Sequence, residues 1–88
     1  MQWNVRLAKD AARQLERVPR DYHELLLKKL REIAEDPFRG DVLPLKGKEW
    51  EGYYRKRVGR YRIIFFPHQN QHIVDVTAIL PRDEKTYR

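Results

Sequence analysis

Gly59-Arg60 interrupts two strand-like runs, Tyr53–Val58 and Tyr61–Phe66. A two-residue break with glycine first suits a type II′ hairpin turn. Such a turn sets the pairing. Val58 is expected opposite Tyr61, Arg57 opposite Arg62 and Arg55 opposite Ile64. Opposed residues share a sheet face. Arg55, Arg57 and Arg62 therefore fall on one face. Tyr54, Val58, Tyr61, Ile63 and Phe65 fall on the other, apolar enough to receive helices. Lys56 belongs to that second face and must reach its rim along its own stem.

The rest of the chain supplies those helices. Gln2–Leu7 alternates as a half-buried strand does, with Trp3, Val5 and Leu7 to one side. The period then lengthens. Ala8, Ala11, Ala12, Leu15 and Val18 gather on one face of a helix over Lys9–Arg17, which Pro19 ends. Asp21 and Glu24 have the spacing of a capping box. They introduce a second helix with a stripe of Tyr22, Leu26, Leu30, Ile33 and Ala34, widened by Leu25 and Leu27. Asp36-Pro37 closes it. Residues 38–52, which follow Pro37, hold Gly40, Pro44, Gly47 and Gly52 and read as irregular. A last strand covers His72–Leu80, after the polar loop Pro67–Gln71. The order β-α-α-β-β-β predicts one α+β domain over residues 1–88, a largely antiparallel sheet backed by a helical hairpin.

Charge is uneven along this frame. Lys and Arg number 19 against 13 Asp and Glu. Residues 1–44 carry nine basic and eight acidic side chains, net +1; residues 45–88 carry ten and five, net +5. Most of the excess lies between Lys46 and Arg62. Such a surface fits a polyanionic partner. Opposed like charges destabilise a sheet, so folding alone does not explain Arg57 against Arg62. An anion between them does, and Arg suits bidentate phosphate binding. The alternative is a solvated basic face neutralised by Asp75. With no cysteine, disulfides and Cys-ligated metals are excluded. Apolar runs fall far short of the ~20 residues of a membrane span, and no signal-peptide pattern is present. A cytoplasmic protein is expected.

The opening strand, the hairpin ending in Glu35-Asp36-Pro37, the step Leu45-Lys46-Gly47, the run Tyr54–Ile64, and the terminal Arg82 and Tyr87 form an ordered set. In that set the chain resembles the RelE/ParE superfamily of toxins from type II toxin–antitoxin pairs. The resemblance implies a RelE-like fold. It implies a ribosome-dependent endoribonuclease that cuts messenger RNA in the A site, by metal-free attack of the 2′-hydroxyl, and so inhibits translation. Carried over by position, it assigns Arg55, Arg57, Arg62, Arg82 and Tyr87 to the catalytic site. Lys46, Lys48, Lys56 and Arg60 are expected to assist RNA binding. The implied partners are a RelB-like antitoxin and the 70S ribosome with its messenger RNA and 16S rRNA, with no cofactor, metal or membrane. Arg55 stands where the family proposes a lysine base. Arginine stays protonated and is a poor base, though it can still bind the phosphate; Lys46 or Lys48 can take the proton only if its neighbours depress its pKa. The alternative within the superfamily is ParE-like inhibition of DNA gyrase, without nuclease chemistry. A third reading is an RNA-binding module without catalysis.

Other residues have structural readings. Tyr87 stacks on a base in one reading and packs on the sheet or frays in the other. Trp50 either packs under its loop or contacts RNA. Trp3 reads as core, His23 as solvent-facing, and Glu49 and Glu51 as surface charges. His68 and His72 are four residues apart across a loop, too few for a zinc site.

Overall fold

The computed structural model describes residues 2–82; Tyr87 lies outside them. Strand β1 (Asn4–Leu7) leads into helices α1 (Lys9–Arg17) and α2 (Arg20–Glu35). Strands β2 (Val42–Pro44), β3 (Tyr54–Val58), β4 (Tyr61–His68) and β5 (Ile73–Pro81) follow, with a 3-10 turn at Lys48–Trp50. The sheet order is β1-β5-β4-β3-β2. Three pairings are antiparallel, as expected. The fourth is not: β1 runs parallel to β5, Asn4 opposite Ile73 and Leu7 opposite Val76. A parallel pair needs a long crossover, and everything from α1 to β4 provides it. The five strands include β2, inside the stretch expected to be irregular.

Both helices follow the 3.6-residue period, and Pro19 separates them. Pro19 itself takes the extended cap conformation (φ −52°, ψ 145°), and its carbonyl accepts the Tyr22 N–H at 2.9 Å. The Asp21–Glu24 capping box is therefore not used. Helix α2 starts two residues earlier than that box implies, and Asp21 sits in its first turn, where a negative charge suits the helix dipole.

Ala11, Val18, Leu26, Leu30 and Ile33 from the helical layer pack on Val58, Ile63, Phe65, Val74, Val76 and Ile79 from the sheet. Complete burial of each large aliphatic or aromatic side chain contributes roughly 1.5–3 kcal/mol. Leu25 and Leu27 do not widen the stripe; they are 37% and 42% exposed. No helix among the described residues is long and apolar enough to cross a membrane.

Lys56 corrects a further expectation. Its side chain does not reach the rim but is 2% exposed on the helix-facing side. Its Nζ donates to the Arg39 carbonyl at 2.7 Å and lies 3.4 Å from Glu32 Oε1. It ties β3 to the end of α2 and the loop beyond. That removes it from the basic surface on which RNA binding was expected.

A candidate nucleic-acid interface

The β3–β4 hairpin has the expected register: Val58 opposite Tyr61, Arg57 opposite Arg62, Arg55 opposite Ile64. Gly59 supplies the turn with φ +55°, a conformation costly for other residues. A Cβ there would also lie 2.9 Å from the Tyr22 hydroxyl. The turn thus disfavours a side chain at residue 59 by conformation, and Tyr22 would have to shift to admit one.

Arg57 and Arg62 stand across from each other on the face away from the helices. The end of β5 brings in a third guanidinium. Arg82 donates its backbone N–H to the Arg60 carbonyl at 2.6 Å, and its Nη1 lies 3.5 Å from the Gly59 carbonyl. Arg60, Tyr61, Arg62, Pro81 and Arg82 line a groove of about 560 Å³. Burial, then the charges of Arg55, Arg57 and Arg82, push the Arg62 pKa down from its ordinary value. The charge itself is retained. The site therefore concentrates positive charge in a partly desolvated place, which favours an incoming anion.

Asp41, absent from the sequence-based site, is the carboxylate of this cluster. Arg55 Nη1 donates to Asp41 Oδ1 at 3.1 Å and to its carbonyl at 3.2 Å. The same carbonyl accepts the Arg57 N–H at 3.0 Å, and Arg57 Nε lies 3.7 Å from Oδ2. The Arg55 hydrogen bond first, then the charges of Arg55, Arg57 and Arg82, hold Asp41 below the usual carboxylate range. Arg55 is buried and committed to Asp41. Arg57, by contrast, keeps 37% of its side chain exposed. Lys46, Lys48 and Arg60 are exposed.

Asp75 is not the neutralising group. It accepts from Arg6 Nε at 2.8 Å and lies 2.8 Å from His68 Nε2. His72 instead stacks on Trp3, centroids 4.4 Å apart. His23 does not face solvent either: it is half-buried, its Nε2 2.9 Å from the Val18 carbonyl. Trp50 is half-buried and packs edge-on against Tyr53. Among the described residues no cluster of three His, Cys, Asp or Glu is arranged to hold a metal ion.

A family model described as ParE toxin of type II toxin–antitoxin system, parDE, matches residues 5–86. The chain belongs to this family. The RelE/ParE resemblance read from the ordered motifs is thus confirmed. Solved structures agree in fold. The RelBE2 toxin–antitoxin complex of Mycobacterium tuberculosis matches with a TM-score of 0.82 at 20% identity, over 93% of this chain and 100% of that one. The archaeal RelE–RelB complex of Pyrococcus horikoshii gives 0.79 at 23%, over 97% and 100%. The isolated RelE toxin of E. coli gives 0.77 at 18%, over 97% and 89%. At such identities these likenesses speak for the fold alone. A search of curated proteins by sequence returns no match.

Proposed function

We propose that this toxin is a ribosome-dependent endoribonuclease that cuts messenger RNA without a metal. One observation carries the reading: Arg57 and Arg62 are held opposite each other, with Arg82 at the same end of the sheet. In the reaction, a ribose 2′-hydroxyl attacks the adjacent phosphorus. The bond to the 5′-oxygen breaks, leaving a cyclic phosphate and a free 5′-hydroxyl. Negative charge grows on the phosphoryl oxygens as this happens. Fixed donors aimed at developing charge contribute the largest catalytic term in many enzymes. Arg57 and Arg62 are the donors placed for that role, and Arg82 is assigned to the departing oxygen. Arg55 supports from below through Asp41. It is not the base, and Asp41, with its lowered pKa, is a weak one. The proton of the 2′-hydroxyl is assigned to the neutral amine form of Lys46 or Lys48, and the departing 5′-oxygen takes its proton from water. Tyr87 keeps its assignment from the resemblance, to stack on a base.

The partner in this reading is a RelB-like antitoxin, as in the solved complexes named above. A disordered acidic or amphipathic segment that orders on binding would cover the arginine face. The ribosome, with its 16S rRNA, presents the message.

The family model itself favours a second reading, ParE-like inhibition of DNA gyrase. Fold does not separate the two. Incubating the protein with translating ribosomes and mapping RNA ends, with gyrase supercoiling assayed in parallel, does. Cut A-site codons with unaffected supercoiling support the nuclease. Intact message with inhibited supercoiling replaces it with the gyrase reading.

A further inference from the structure

The face that carries the arginines has a second half, and it is aromatic. Trp50 meets Tyr53 edge-on at 5.4 Å between centroids, Tyr53 meets Phe66 edge-on at 5.1 Å, and Phe66 lies 4.7 Å from His68. None of the four belongs to the core under the helices. Tyr53, Phe66, His68, Asp75 and Thr77 line a pocket of about 240 Å³. That is smaller than the ~300–1,000 Å³ of sites for drug-sized ligands, and suits one planar ring.

The row continues the arginine ladder. Arg57 faces Arg62, Arg55 faces Ile64, and Tyr54 faces Phe65, so the next step on the arginine face brings Tyr53 beside Phe66. Phe66 lies four residue steps along β4 from Arg62, about 13 Å at the usual strand rise. Positive charge at one end and half-buried rings at the other make the pattern that single-stranded nucleic acid uses: phosphates on the basic part, bases on the aromatic part. The acidic group at the pocket does not oppose this. Arg6 and His68 both engage the Asp75 carboxylate, so it shows a polyanion no bare negative charge. The Phe66 ring is also held in place. A Cβ on Gly52 would lie 2.6 Å from Phe66 Cε2, so a glycine backbone backs the ring.

We propose that Tyr53, Phe66 and His68 form a stacking platform for a base of single-stranded RNA whose phosphate is held at Arg57 and Arg62. The platform takes a base displaced along the strand from that phosphate, not the one beside it. The inference rests on the RNA reading of the arginine cluster.

The test is equilibrium binding of the full chain to a labelled single-stranded RNA of about ten nucleotides, intact or abasic at each position in turn. Wild type, Phe66→Leu and Arg62→Ala are compared, with circular dichroism confirming the fold; Tyr53→Leu replaces Phe66→Leu should that variant not fold. One abasic position should weaken wild-type binding about 5- to 150-fold, the effect of losing one stacked base. In Phe66→Leu the same abasic position should cost little more, because its stacking partner is already gone. Equal abasic penalties in the two proteins, with binding still dependent on Arg62, overturn the platform and leave the RNA reading standing. Absence of wild-type binding to the intact RNA overturns the platform, while the nuclease reading itself is judged on translating ribosomes.

Discussion

Asp41 and Arg55 meet at 3.1 Å, and the arginine is the buried member of the pair. This contact places a carboxylate among guanidinium groups without cancelling them. Asp41 is 53% exposed and also 3.7 Å from Arg57 Nε. In the RNA reading proposed above, it occupies the position that an incoming phosphate would compete for.

Asp41→Asn should therefore tighten RNA binding several-fold. It removes a negative charge from a surface expected to meet phosphates, and leaves the carbonyl that fastens Arg57 and Arg55. Binding across a salt series checks this, since phosphate contacts give a steep salt dependence. Weaker binding by a folded Asp41→Asn protein would show that the carboxylate organises the site instead of competing for it.

Arg62→Ala should lower cleavage of ribosome-bound message by ~10²–10³, the usual effect of losing one transition-state donor. The fold should persist, because the change also relieves the opposition to Arg57. Growth arrest on expression without antitoxin, read beside a thermal melt, measures both. Arg82→Ala and Tyr87→Ala should each reduce cleavage as well. Full toxicity from folded Arg62→Ala protein removes Arg62 from the site.

Lys56→Met should leave RNA affinity unchanged, unlike substitution of an exposed lysine in the basic surface. It should cost about 1–3 kcal/mol in stability, because the Arg39 carbonyl loses a buried donor. Urea unfolding and the RNA titration together test the assignment. An intact fold with weakened RNA binding would return Lys56 to the interface.

Stability should fall in acid. The Asp75 pKa is lowered chiefly by the hydrogen bond from Arg6; burial, next in size, pushes it up, and the His68 hydrogen bond and the charges of both partners leave it below the ordinary value. A lowered folded pKa means that the unfolded chain takes up the proton first as pH falls. The stabilisation is complete above the ordinary carboxylate value, roughly 4, and is lost as pH drops through the folded value. Asp41 has the same sign. Urea midpoints from neutral pH down to about 3 should therefore decline, and Asp75→Asn should start lower and decline less. An unchanged slope in Asp75→Asn would mean that Asp75 does not drive the acid loss.

Local features made much of this molecule legible in its residues. A two-residue turn at Gly59-Arg60 leaves one register, so the opposition of Arg57 and Arg62 could be read before any coordinates. The helical period and Pro19 likewise placed α1 and α2 without reference to the rest of the chain. What depended on distant partners had to wait for the tertiary structure. The parallel pairing of β1 with β5 joins residues nearly seventy positions apart, and no local pattern encodes it. Strand β2 is three residues at a sheet edge, too short to alternate visibly. Lys56 was placed on the correct face, but whether its charge escaped to the rim or found a carbonyl beneath α2 turned on how the loop after α2 closes. Asp41 entered the arginine cluster for the same reason. Its carbonyl pairs with β3, and only that pairing carries its side chain to Arg55. Turn chemistry and periodicity act between near neighbours; burial and ion pairing are settled by whichever segments the closed sheet brings together.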